Sequence, residues 1–177
     1  AKQNKAQAIN LHATEYTMIN YGLDVYMQSA YILKYLEDVM GKDEFDRVMR
    51  KYYKTYQFKH VYPEDMRDLF EAETGEKFGW FFDMLINDAW GPDYKISKFQ
   101  KGKTAMAVDI TNNSDIPASF SVSLMDGDSI LRTDWFRGFT GSQTIYFNYK
   151  PEWNVTSLKI DAQKTMPEYE RENNTIK

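Results

Sequence analysis

The 177-residue sequence contains no cysteine. That excludes a disulfide framework and any thiolate metal site, and it is compatible with cytoplasm, periplasm or exterior. There are only two histidines, His12 and His60, and neither has the spacing of a metal-ligand pair. No apolar run approaches the roughly 20 residues of a membrane span, so no transmembrane segment is expected. Basic excess is also missing: 22 Lys and Arg stand against 26 Asp and Glu, a formal net charge of -4. A broad nucleic-acid surface needs a basic face, so no nucleic-acid partner is expected. What the sequence has in quantity is aromatics, with 11 Phe, 13 Tyr and 4 Trp, enough to bury a sizeable core. The length suits one large domain or two small ones.

The hydrophobic period changes along the chain. Residues 1 to about 90 read helical and residues 94 to about 161 read as strands. The switch falls at Trp90-Gly91-Pro92-Asp93, a cluster where a helix must stop. Upstream, Val25, Ser29, Ile32, Leu36 and Val39 are spaced four and three apart, with Tyr26, Ala30, Leu33 and Met40 on an adjoining side. So wide an apolar arc predicts a largely buried helix, ended by Gly41. A second helix starts near Asp43 and carries Phe45, Val48, Met49, Tyr52, Tyr53 and Tyr56 on one face. Pro63 suits the first position of a third helix and Gly75 its end. Phe78, Phe81, Phe82, Leu85, Ile86 and Ala89 define a fourth stripe, and the stretch before Tyr21 is expected to be helical too.

Downstream the period is two. Met106, Val108 and Ile110 alternate with Ala107 and Asp109; Phe120, Val122 and Leu124 alternate with serines; Ile145, Phe147 and Tyr149 repeat the pattern, and Leu158 and Ile160 close it. Turn signals lie between, including Asp126-Gly127-Asp128, a hairpin turn rather than a calcium loop. Such spacing predicts a β-sandwich. The expected class is α+β in two domains. Residues 1–91 would form an all-α bundle of about five helices. Residues 92–165 would form a small all-β immunoglobulin-like sandwich, and 166–177 a polar tail that frays.

Particular residues add a resemblance. Tyr21-Gly22-Leu23-Asp24-Val25-Tyr26-Met27-Gln28-Ser29-Ala30, followed by Leu33, Leu36, Gly41 and Phe45, resembles a segment of the aminopeptidase N family of zinc metallopeptidases. The likeness continues through Tyr52-Tyr53, Tyr56-Gln57-Phe58-Lys59-His60, Pro63-Glu64-Asp65-Met66, Thr74-Gly75 and Trp80-Phe81-Phe82. It covers about residues 16 to 90. The β half is similar to the small β domain that follows the catalytic domain in this family. Its pattern of Val108, Asn112-Asn113, Leu124, Asp126-Gly127 and Ile160-Asp161 also looks like immunoglobulin-type modules of bacterial surface proteins.

The resemblance implies a C-terminal fragment of an enzyme that removes N-terminal residues from peptides, and a start at Ala1 rather than Met is what a fragment would show. In the family, zinc is held by the histidines of His-Glu-x-x-His and a later glutamate. That motif does not occur here, so zinc is expected in the parent protein and none is expected on this chain, which alone should be inactive. The residue carried over is Tyr26, as the tyrosine whose hydroxyl donates a hydrogen bond to the oxyanion of the tetrahedral intermediate. A donor fixed where charge develops stabilises the transition state selectively, and its loss typically costs roughly 3 kcal/mol. The family's usual Lys and Gly after this tyrosine are Gln28 and Ser29 here.

Two other readings stand beside this one. A non-catalytic relative, with Gln28 and Ser29 as marks of lost activity, would serve as a binding or scaffolding protein. Alternatively the β half is an adhesion or carbohydrate-binding module, with Trp135, Phe136, Tyr146 and Trp153 as an aromatic platform. The likeness to surface modules favours the periplasm or the cell surface. His12 and His60 read as loop or capping residues, the stripe of Tyr52, Tyr53 and Tyr56 as packing, and Glu71 and Glu73 as a solvated helix face.

Overall fold

A computed structural model describes residues 7–89, 91–168 and 170–177. The chain divides into two compact units, Ala1–Ala89 and Trp90–Lys177.

In the first unit, a 3-10 turn at Ala13–Glu15 leads to one continuous helical rod whose winding changes twice. It runs through an α turn (α1, Met18–Asn20), a π-helical segment (Tyr21–Gln28) and a regular α-helix (α2, Ser29–Met40). Thr17 caps the rod, its hydroxyl oxygen accepting from the Asn20 N–H at 3.1 Å. Gly41, at φ +82°, turns the chain directly into α3 (Lys42–Tyr56). That φ suits a residue without a Cβ. In α4 (Pro63–Thr74) Pro63 takes the first turn, the Asp65 carboxylate accepts from the Tyr62 N–H at 2.8 Å, and Gly75 closes the helix in the left-handed conformation. The core here is aromatic. Phe70 lies fully buried with Phe45, Phe78 and Phe82 arranged edge-on around it at 6.2, 6.0 and 5.8 Å.

The expected five-helix bundle is not what forms: the described residues hold four α-helices. Before Tyr21 the described residues hold only the 3-10 turn and the single α turn of α1. His12 caps that turn and Glu15 returns the bond, its carboxylate accepting from the His12 N–H at 2.9 Å. The stripe from Phe78 to Ala89 does not become a fourth regular helix either. It winds as a π segment, Trp80–Met84, and a 3-10 turn, Leu85–Asn87. Four aromatics within five residues explain this. Widening the turn lets Phe78, Phe81, Phe82 and Leu85 all be buried, more than one face of a regular α-helix accommodates. The rod containing α2 is also less buried than its apolar arc predicts, because its first half presents Leu23, Tyr26 and Met27 to solvent.

The second unit contains two antiparallel sheets. One has strand order β1-β2-β5 (Tyr94–Lys101, Ala105–Asn112, Gly141–Asn148). The other has order β4-β3-β6-β7 (Ser129–Phe136, Phe120–Asp126, Ser157–Ile160, Thr175–Ile176). The second unit thus holds seven strands in a three- and a four-stranded antiparallel sheet, and the mixed α+β class stands. The turn at Gly127-Asp128 joins β3 to β4, with Asp126 paired to Ser129. In β2 alternation sends Met106, Val108 and Ile110 inward, whereas β3, an inner strand between β4 and β6, is buried at every residue from Phe120 to Met125. Tyr94 of β1 stacks on Phe120 of β3 at 4.3 Å, joining the two sheets.

The stretch after residue 165 does not fray. Met166, Glu168 and Asn174 are buried and β7 pairs with β6. Buried Asp161 anchors this return. Its carboxylate accepts from the Thr165 and Met166 N–H groups at 2.8 and 3.1 Å and pairs with Arg171.

Candidate functional site

The winding of Tyr21–Gln28 is the feature that singles out a site. π-helical turns are rare, usually a single turn long, and frequently occur at functional positions. This segment is eight residues long. Its geometry has a direct effect on side chains. In an α-helix, residues five apart point about 140° away from each other. The i→i+5 bonding of a π-helix brings them onto one side. Tyr21 and Tyr26 are such a pair, and their rings meet edge to face with centroids 5.9 Å apart. Asp24 and Ser29 are another, the Ser29 hydroxyl donating to the Asp24 carbonyl at 3.3 Å.

The pair continues into a row of three rings. Tyr16 meets Tyr21 edge to face, also at 5.9 Å. The Tyr16 hydroxyl sits between the carbonyls of Ala8 and Ile9 and accepts from the Leu11 N–H at 3.2 Å. The Ile9 and Asn10 N–H groups in turn both donate to the Ile86 carbonyl, at 3.1 and 3.2 Å. The row therefore has one end tied to backbone and the other, Tyr26, 63% exposed. The side-chain hydrogen bond with Tyr26 raises the Tyr21 phenol above its ordinary value, and the nearby Tyr26 oxygen adds to the effect.

Behind the exposed face, polar groups lock the segment. Asp24 is buried and its carboxylate accepts from the Gln7 N–H at 3.0 Å. The Gln7 amide oxygen accepts from the Thr17 N–H at 3.1 Å and from the Asn20 side chain at 2.8 Å. Its amide nitrogen donates to the Glu15 carbonyl at 3.0 Å. On the outer side, Met18, Ile19, Leu23, Met27 and Tyr31 join Tyr26 in an exposed apolar stripe.

The other residues singled out from sequence are dispersed. Gln28 ends the π segment and Ser29 opens α2. His12 is a cap, its Nδ1 2.8 Å from the Thr14 hydroxyl, and His60 is exposed between α3 and α4. Among the described residues no group of three or more His, Cys, Asp or Glu is arranged to hold a metal ion. Glu71 is more than a solvated residue: its carboxylate accepts from the Phe78 N–H at 2.9 Å and from Lys77 at 2.6 Å, and these bonds, Lys77 foremost, pull its carboxyl below the usual range. Glu73 pairs with Arg47 at 2.7 Å. Tyr52 and Tyr56 pack at 5.2 Å, whereas Tyr53 is exposed. It borders an open groove of about 560 Å³ with Asp46, Met49, Arg50, Lys54 and Gln57. One helix, α3, and its C-cap Gln57 supply every lining residue, so the groove encloses nothing.

In the second unit, Trp135 and Phe136 lie on β4 and Tyr146 on β5, strands of different sheets. Phe136 stacks on Phe120, and Lys150 lies over the Trp153 ring at 5.7 Å. Sequence reasoning did not single out Tyr16, Gln7 or Asp24. The recurrence of Tyr at 16, 21 and 26 is the signal that could have found the row, because a five-residue interval matches neither an α-helix nor a strand.

No protein-family model matches the chain, and no curated protein sequence matches it. Among solved structures the chain is similar to the crystal structure of Legionella pneumophila aminopeptidase A in complex with aspartic acid. The superposition has a TM-score of 0.69 with 15% sequence identity, and covers 88% of this chain. This chain spans only 19% of that protein. The fold is thus distantly aminopeptidase-like. No helix among the described residues is long and apolar enough to cross a membrane.

Proposed function

We propose that this chain is the C-terminal part of the catalytic region, with the following β domain, of a zinc-dependent aminopeptidase of the aminopeptidase N family. In this reading Tyr26 is the oxyanion-stabilising tyrosine. The carrying observation is a solvent-facing phenol on a π-wound segment, in a chain whose fold is similar to part of an aminopeptidase. The exposed apolar stripe around it supports the reading, since such patches mark contact with further protein or ligand. The parent's substrate is a peptide, and the periplasm or surface of a bacterium is the proposed location.

Among the described residues no group of three or more His, Cys, Asp or Glu is placed to hold a zinc ion. The zinc and its ligands therefore belong, in this proposal, to parts of the parent that this chain does not contain. The chain's own contribution is to bind and orient. A phenol is a neutral hydrogen-bond donor at pH 7. Held rigidly, it meets the oxyanion without reorganising as charge develops, and the low-dielectric cleft formed on substrate binding strengthens that bond.

Tyr26→Phe in the full-length protein is the test. It should lower kcat by about 10²–10³-fold and leave the fold of this chain unaltered. Full activity in Tyr26→Phe would sink the assignment of the tyrosine. Gln28 and Ser29 favour a second reading, a non-catalytic relative acting as a scaffold. A full-length protein that binds no zinc and cleaves no peptide would establish it.

A further inference from the structure

The row of rings has a consequence beyond the presence of Tyr26. Tyr26 lies on the exposed side of the rod, and an exposed tyrosine ordinarily samples several rotamers. A hydrogen-bond donor that acts by being in place beforehand has to be held. The described structure holds it from one direction, through the edge of the Tyr21 ring, and that contact exists because the helix is π-wound at this point. Tyr21 does not stand alone either. The Tyr16 ring meets it, and the Tyr16 hydroxyl is fixed to the Ala8, Ile9 and Leu11 backbone.

We infer that Tyr21 is a positioning residue: its ring, braced by Tyr16, fixes the orientation in which the Tyr26 phenol is presented. The inference rests on the reading of Tyr26 as the oxyanion donor for its catalytic consequence, but its geometric content is independent of that reading. An edge-to-face pair contributes orientation as well as area, because the positive rim of one ring faces the negative face of the other. Tyr16 and Tyr21 make no use of the rest of the site, so their spacing to Tyr26 is the property at stake.

The experiment has two arms. In the 177-residue chain with ring-labelled tyrosines, NMR relaxation and side-chain couplings read the order and rotamer of Tyr26. Tyr21→Phe retains the ring edge and removes the hydroxyl. Tyr21→Leu retains apolar volume without an aromatic edge, and Tyr21→Ala removes both. The expected result is a single Tyr26 rotamer in the native chain and in Tyr21→Phe, and a spread over several in Tyr21→Leu and Tyr21→Ala, with the amide signals of α2 and α3 unmoved. In the full-length protein, Tyr21→Leu should lower kcat on the order of 10–100-fold with KM within about twofold. Tyr21→Phe should recover most of that loss, and Tyr21→Leu added to Tyr26→Phe should cost nothing further. Equal order of the Tyr26 ring in all four chains overturns the inference, whatever the activities. If the ring loosens as expected while Tyr26→Phe stays fully active, the positioning role stands and the catalytic reading of Tyr26 fails.

Discussion

Glu168→Gln separates a buried ionisable group from its shape. Glu168 is 5% exposed. One carboxylate oxygen accepts from the Tyr94 N–H and the other from the Asn174 side chain, both at 2.6 Å. Burial pushes its carboxyl up to about 8 from an ordinary 4.5; these two bonds and Arg171 oppose the rise, and Asp93 adds to it. A group whose pKa is raised on folding binds its proton more tightly in the native state. The stability it confers is therefore present below about pH 4.5 and lost as pH rises through 8. Over that window the difference amounts to roughly 5 kcal/mol as an upper bound, at about 1.4 kcal/mol per pH unit. Both histidines lie in the first unit, so no other side chain of the second unit has an ordinary value in this range. Glutamine has the same shape and no charge; its oxygen accepts from the Tyr94 N–H, and its amide nitrogen donates to the Asn174 oxygen once that side-chain amide turns over. Urea midpoints followed through NMR signals from β3 should fall from pH 5 to pH 8 in the native chain and stay nearly level in Glu168→Gln. The variant should be the more stable of the two at pH 8. Parallel pH profiles for the two proteins would refute the reasoning.

Two further substitutions probe the cores of the two units. Phe70→Ala removes the ring at the centre of the first unit's aromatic cluster and should cost about 3–5 kcal/mol, read as a lowered urea midpoint for signals from α3 and α4. Asn112 is buried, donates to the Ile116 and Phe139 carbonyls at 2.9 and 2.7 Å, and accepts from Ser114. Asn112→Ala strands these carbonyls, so the second unit should lose about 2–4 kcal/mol while thermal unfolding of the first unit is unchanged.

How much of this was legible beforehand depended on whether local pattern and final environment agreed. The ends of α4 were readable from Pro63 and Gly75, because capping is decided by a few neighbouring residues. The Gly127-Asp128 hairpin and the alternation of β2 were readable for the same reason. β4 was not: it is an edge strand, and its burial shows no clean alternation. β7 has two residues and exists because Asp161 and Glu168 hold the chain around it, a relation spread too widely for any local window. The aromatics from Phe78 to Phe82 gave a helical period but not the winding that could bury them all. At the candidate site, Tyr26 came from a resemblance and its bracing from geometry alone. A sequence states that tyrosines recur every five residues, while only the π winding shows what that interval accomplishes.

That winding also bears on how sequences with this helix can be lined up. Each π turn closes its hydrogen bond over one residue more than an α turn. A homologous helix wound entirely as α would run short between Tyr21 and Gln28, and a gapless alignment would match side chains on one flank of the segment and rotate them out of correspondence on the other. An apparent insertion or deletion here would leave the rod intact and change only which ring stands beside the exposed phenol. The tract is thus a point at which descent could retune the presentation of one hydroxyl by a single codon, with the remainder of the unit untouched.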